Sequence, residues 1–122
     1  MYIGEFCKLT AVTPTTIRLY ESIGLLPPAQ RRGNYRVYDT TYVETVKQIK
    51  IAQQFGFTLT ELKQMCDGEN IKRGLPAKVI LRAIDSKRAE IAKQLEQLKQ
   101  RDAGLADLQH YLQNEACNTV SE

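Results

Sequence analysis

Thr13-Pro14-Thr15-Thr16-Ile17-Arg18-Leu19-Tyr20-Glu21 is the stretch on which the fold turns. A threonine followed by proline is a strong helix start. The hydroxyl caps, and proline fits the first helical position, where no amide donor is required. Ile17 and Tyr20, with Ile23 beyond them, supply an apolar face and leave Thr15, Thr16 and Leu19 on the leading edge. Gly24 offers the left-handed residue that stops the helix, Leu25 and Leu26 pack back, and Pro27-Pro28 enforces extended backbone. Upstream, Ile3 to Val12 reads as a short first helix with Ile3, Phe6 and Leu9 turned toward the second. Downstream, Arg31-Arg32-Gly33-Asn34-Tyr35-Arg36-Val37-Tyr38 is basic and aromatic, and Gly33-Asn34 suits a tight hairpin turn. Two short helices at a corner followed by a basic hairpin form a helix-turn-helix with a wing, a shape suited to a duplex.

The pattern continues into two more short helices. Asp39 or Thr40 caps a third, Thr41 to Phe55, whose Val43, Val46, Ile49 and Ala52 face inward, and Gly56 ends it. Thr58-x-x-Glu61 is a capping box that opens a fourth, with Leu59, Leu62 and Met65 toward the core, closed by Asp67-Gly68. A polar connector follows. From Pro76 to Asn114 the pattern is helical throughout, with Ala77, Ile84, Ile91, Leu98, Leu105 and Leu112 recurring every seven residues. Leu81 and Leu95 occupy the companion seam, which Arg88, Asp102 and Gln109 interrupt. So narrow a stripe on so long a helix either folds back on its own domain or takes a partner helix, and a second copy is the simplest partner. In an antiparallel pair with its twofold axis near Leu95, Arg88 of one chain approaches Asp102 of the other and sets the register. The expected fold is therefore mainly α. A winged helix-turn-helix domain of four short helices and a small β-wing spans residues 1–70, a connector spans 71–75, one long dimerisation helix spans 76–114, and a short tail spans 115–122.

Composition sets the outer limits. The 122 residues, 43% hydrophobic and 25% charged, suit one ordinary domain with an appended helix. No apolar run approaches the ~20 residues of a membrane span and no signal-peptide pattern opens the chain, so no membrane is expected and the cytoplasm is the default location. The net charge is +3, and residues 1–38 carry an equal surplus: Lys8, Arg18, Arg31, Arg32 and Arg36 against Glu5 and Glu21. Such local concentration favours a nucleic-acid footprint. Cys7, Cys66 and Cys117 are odd in number and widely spread, and His110 is the single histidine, which speaks against a disulfide framework and against a zinc finger. No Gly-rich phosphate loop or nucleophile elbow is present, so an enzyme is not expected.

These residues resemble the MerR family of bacterial transcription regulators. The likeness rests on Tyr2-Ile3-Gly4-Glu5, Thr13-Pro14-x-x-Ile17-Arg18-x-Tyr20-Glu21 and Ile23-Gly24-Leu25-Leu26-Pro27-Pro28. It continues through Tyr35-Arg36-x-Tyr38 and Ala52-x-x-x-Gly56-Phe57-x-Leu59-x-Glu61-Leu62. Gly33-Asn34 departs from the Asn-Gly order common in the family's wing, which leaves the turn geometry open. The resemblance implies a homodimer joined by an antiparallel coiled coil, with one recognition helix in each of two major grooves of a palindromic operator. It also implies double-stranded promoter DNA as ligand, RNA polymerase at the same promoter, and a switch between repression and activation made by bending and untwisting that DNA. A DNA-architectural or excisionase-like winged helix that senses nothing is the alternative.

On this reading Thr15, Thr16 and Leu19 approach base edges, and Arg18, Arg32, Asn34, Tyr35 and Arg36 serve the backbone. Tyr20 and Tyr38 fit either a backbone contact or the core. The dimer seam comprises Ala77, Leu81, Ile84, Arg88, Ile91, Leu95, Leu98, Asp102, Leu105 and Leu112. No cofactor and no metal are expected: Cys117 sits where metal-responsive members of the family carry the first loop cysteine, but a soft-metal site needs a second thiolate. Cys66 and Cys117 are the candidate sensing thiols, although Cys66, like Cys7, also fits a buried apolar position.

Overall fold

The computed structural model of the chain describes the backbone of residues 1–121 and the side chains of residues 1–116. Among these, the elements run α1 (Ile3–Thr10), α2 (Pro14–Ser22), β1 (Gln30–Arg32), β2 (Tyr35–Val37), a 3-10 turn (Thr40–Tyr42), α3 (Val43–Gln54), α4 (Leu59–Cys66) and α5 (Ala77–Ser121). The chain divides into two compact units, Met1–Leu81 and a second that begins at Arg82.

Local chemistry sets the ends of these elements. Thr13 caps α2 by accepting from the Thr16 amide at 3.2 Å, and Pro14 fills the first helical position. Ala11, left-handed at φ 58°, ends α1, and its carbonyl accepts from Lys50 Nζ of α3 at 2.6 Å. Thr58 and Glu61 form the reciprocal capping box of α4. Asp39 accepts from the Thr41 amide at 2.9 Å, which holds its carboxyl below the usual range and starts the 3-10 turn before α3. The strands pair antiparallel with Arg31 opposite Arg36 and Arg32 opposite Tyr35. Of the two turn residues only Gly33 has positive φ, at 64°. This is the pattern of a type II′ turn, which places glycine first, and it explains why Gly-Asn serves here where Asn-Gly would be expected of type I′.

The core of the first unit gathers Phe6 from α1, Ile17 and Tyr20 from α2, Leu25 and Leu26, Tyr38 after β2, Val46 and Ile49 from α3, and Leu62 from α4. Leu9, expected inside, is instead about half exposed. Thr10 takes the buried place one residue on, its hydroxyl donating to the Phe6 carbonyl at 2.8 Å, so it enters the core with its polar group satisfied.

The connector differs from the expected polar linker. Residues 71–75 are docked on α3 within the first unit. Thr45, fully buried, donates its hydroxyl to the Ile71 carbonyl and accepts from the Gly74 amide at 2.9 Å. Gln48 accepts from the Leu75 amide at 2.7 Å, and the Arg73 amide donates to the Thr41 carbonyl at 2.7 Å. Glycine is required at 74: φ is +138°, and a Cβ would stand 3.1 Å from Gln48 Oε1. The first unit accordingly reaches Leu81, past the expected boundary at 70, with Ile80 buried in it. At the far end, helix replaces the expected tail, since α5 continues through 115 to Ser121. No glycine or proline stands after Gly104 to break the hydrogen-bond ladder.

Thr45→Val keeps the side-chain shape but leaves the Ile71 carbonyl and the Gly74 amide without their shared partner. The expected cost is about 1–3 kcal/mol, read from urea unfolding, with faster hydrogen exchange at the Gly74 and Leu75 amides.

Candidate nucleic-acid interface

Because Ile17 and Tyr20 anchor α2 inward, its opposite edge is free. Thr15 and Arg18 are exposed there, and Leu19 is nearly half exposed. Thr16 is half-buried, and its hydroxyl lies 2.9 Å from that of Thr13, within the helix cap. Of the two threonines, Thr15 is therefore the one presented outward.

Tyr20 is not part of this surface. It is buried, and its hydroxyl donates to Gln53 Oε1 of α3 at 2.7 Å, so its polar group serves the α2–α3 joint. Burial pushes its phenol above the ordinary range. Tyr38 is likewise core: its ring stacks on Phe6 with centroids 4.8 Å apart and planes 15° apart. Both tyrosines, which the sequence left between core and DNA backbone, are packed in the core.

The wing presents Arg31, Arg32, Asn34 and Tyr35 to solvent. Tyr35 lies against Tyr2, with ring centroids 5.5 Å apart. Tyr2 itself bridges Val37 of β2, and the Tyr38 amide donates to the Met1 carbonyl at 2.6 Å. The first residues therefore run along the wing as a further edge. Sequence reasoning missed Tyr2, because that pairing joins residues far apart in the chain.

Arg36 turns back toward α2. Its Nη1 lies 3.6 Å from Glu21 Oε2, with the arginine side chain 34% exposed and the glutamate 12%. Tyr38 and, more weakly, Glu21 favour the charged guanidinium. The Tyr38 phenol is raised, first by burial and then by Glu21. Glu21 and Arg36 lie close enough to perturb Tyr38, yet Tyr38 Oη and Glu21 Oε1 make no contact with the geometry of a hydrogen bond. The cluster is electrostatically close but incompletely bonded. Glu21 was also missed as a site residue. Its position was the available signal, since a carboxylate in the last turn opposes the helix dipole.

Two of the three thiols, Cys7 and Cys66, lie among the described residues. Cys66 is buried at the end of α4, and its thiol is pushed up by burial and then by Glu69. Cys7 is half-buried and also raised by burial, with Arg18 partly offsetting. The side chain of Cys117 lies outside the described residues. Among the described residues no group of three His, Cys, Asp or Glu is placed to hold a metal ion, and no helix is long and apolar enough to cross a membrane.

The family profile for MerR HTH family regulatory proteins matches residues 1–69, and the profile for MerR, DNA binding, matches residues 43–108. The HTH-type transcriptional regulator CueR of Vibrio cholerae is 36% identical over 99 residues, which cover 80% of this chain and 70% of that protein. The ZntR homolog of Haemophilus influenzae is 32% identical over 99 residues, covering 80% of this chain and 73% of that one. Nodulation protein NolA of a Bradyrhizobium strain is 39% identical over 67 residues, but this chain spans only 28% of its length. Among solved structures, the transcription regulator PbrR691 from Ralstonia metallidurans, crystallised with lead(II), superimposes with a TM-score of 0.63 at 29% identity, covering 90% of this chain and 86% of that one. With two family profiles running from residue 1 to 108 and a solved regulator sharing the fold, the chain belongs to the MerR family of DNA-binding transcription regulators.

Proposed function

We propose that the chain acts as a homodimer, joined by α5 packed antiparallel on its copy, that binds a palindromic promoter operator and switches between repression and activation by bending and untwisting the DNA. RNA polymerase at the same promoter is then the partner that reads the distortion. The observation that carries this reading is the apolar stripe of α5. Leu81, Ile91, Leu95, Leu98, Leu105, Leu108 and Leu112 are each more than half exposed. Fully burying one such side chain is worth about 1.5–3 kcal/mol, so a stripe of this length left in water favours association strongly. Leu108, not foreseen in the seam, lies between Leu105 and Leu112 at helical spacing and thickens it.

Thr15 and Leu19 are the side chains suited to base edges, and Arg18, Arg32, Asn34, Tyr35 and Arg36 are suited to the phosphate backbone. The DNA response follows from cost: bending a short site takes several kcal/mol, an amount that changes in protein contacts can shift. A thiol-reactive signal at Cys66 is disfavoured by its burial, because the reactive species is the exposed thiolate.

Sedimentation of the purified chain is expected to give a dimer, and gel-shift titration a clear preference for duplexes with dyad symmetry; a monomer, or indifference to symmetry, would overturn the proposal. Arg88→Asp should weaken dimerisation roughly tenfold, with Asp102→Arg in the same chain restoring it by re-forming the pair across the axis. A double variant no better than either single one removes the assigned register. Arg36→Ala should weaken binding to every duplex and reduce the slope of log K against log salt by about one. Finally, Cys66 should resist alkylation in the folded protein near neutral pH, since its raised pKa leaves little thiolate there, and react once urea unfolds the chain. Mass spectrometry would detect any early modification.

A further inference from the structure

We propose that Glu21 is a positioning residue for DNA binding: it holds Arg36 against the recognition helix α2 and so fixes the wing relative to the reading edge. The inference rests on the reading above in which Arg36 meets the phosphate backbone.

Four observations converge on it. First, a carboxylate in the last turn of α2 opposes the helix dipole, so helix stability does not account for Glu21. Second, Arg31 stands directly opposite Arg36 in the hairpin, and like charges so placed repel. Glu21 is the counter-charge that draws Arg36 to the helix side, with Nη1 and Oε2 3.6 Å apart. Third, the pair is divided between interior and solvent. Glu21 is mostly enclosed while about a third of Arg36 remains exposed, and a guanidinium has five donors, of which this contact engages one edge. The exposed part of the guanidinium is the part a phosphate can reach. Fourth, Glu21 Oε1 and Tyr38 Oη are both enclosed without hydrogen-bond partners. Incomplete bonding of enclosed polar groups costs folding stability, so the cluster is poorly explained as a stabilising device.

The advantage is preorganisation. A free arginine loses rotamer freedom when it grips a phosphate, whereas one already held in place loses less. An opposing effect exists, because the carboxylate also repels phosphates. That repulsion acts through solvent and fades with salt, whereas positioning does not. At ~0.3 M salt the Debye length is below ~8 Å, which separates the two.

The test is a cycle of Glu21→Gln, Arg36→Ala and the double variant, titrated with operator duplex at low salt and at ~0.3 M, each variant first checked by circular dichroism melting. Glu21→Gln should bind about three- to tenfold more weakly at the higher salt. The double variant should bind within twofold of Arg36→Ala alone, because Glu21 acts through that arginine. Equal or tighter binding by Glu21→Gln at high salt, or additive losses in the double variant, would overturn the proposal. Arg36→Lys gives a second route should Glu21→Gln fold poorly. Lysine keeps the charge but not the fork, so the salt slope should stay unchanged while affinity falls, and wild-type affinity would contradict the assignment. Failure of the underlying DNA reading is distinguishable, because the unaltered chain would then show no operator preference at all.

Discussion

The interface depends on the stacking of Tyr38 on Phe6, because that contact fixes a two-stranded ribbon to a helical core. Two strands of three residues each have too little pairing to stand alone in water. The ring after β2 is buried against Phe6 of α1, and the Tyr38 amide is tied to the Met1 carbonyl. With the base of the hairpin held in this way, its tip can stand in solvent without loss of shape. Tyr20 performs the matching task for α2, with its ring buried and its hydroxyl on Gln53 of α3. Both aromatic residues work by being absent from the surface they support.

The same logic governs the segment leading into α5. Hydrogen bonds hold residues 71–75: the Thr45 hydroxyl joins the Ile71 carbonyl to the Gly74 amide, and Gln48 holds Leu75. A polar clamp of this kind defines a geometry with few contacts, and it loses that geometry if any one member is removed. Beyond Leu81 the balance reverses. The helix there leaves apolar groups in water, the surface on which the proposed pairing with a second copy rests.

The sequence made legible whatever depends on neighbours along the chain. The Thr13 cap, the Pro14 start and the Thr58–Glu61 box rest on local spacing, and each is found where the pattern puts it; the heptad-bearing stretch is helical. Choices settled by distant contacts were harder. In the eight residues of α1 a face is defined by very few positions, so Leu9 and Thr10 could exchange roles. The docking of the connector depends on Thr45 and Gln48, 26 to 29 residues away, and nothing in its own residues reveals that. Tyr20 and Tyr38 were ambiguous for a related reason: a tyrosine has both an apolar body and a polar tip, and only the fold decides which one matters.

The reading edge of α2 is chemically sparse, and that limits how the proposed dimer discriminates between operators. Bidentate pairing with a base edge is worth about 1–3 kcal/mol per contact, and it requires a forked side chain such as arginine, asparagine or glutamine. On α2 only Arg18 has that form, since the Thr16 hydroxyl is engaged with Thr13 and Leu19 offers no hydrogen bond. One recognition helix therefore carries little sequence information. The shortfall is met where two such helices are held at a fixed separation, because spacing and DNA deformation then add discrimination at base pairs no side chain touches. In the proposed dimer, the leucine and isoleucine stripe of α5 and the pinned wing thus serve one end, which is to convert weak direct reading into a geometric test of the duplex.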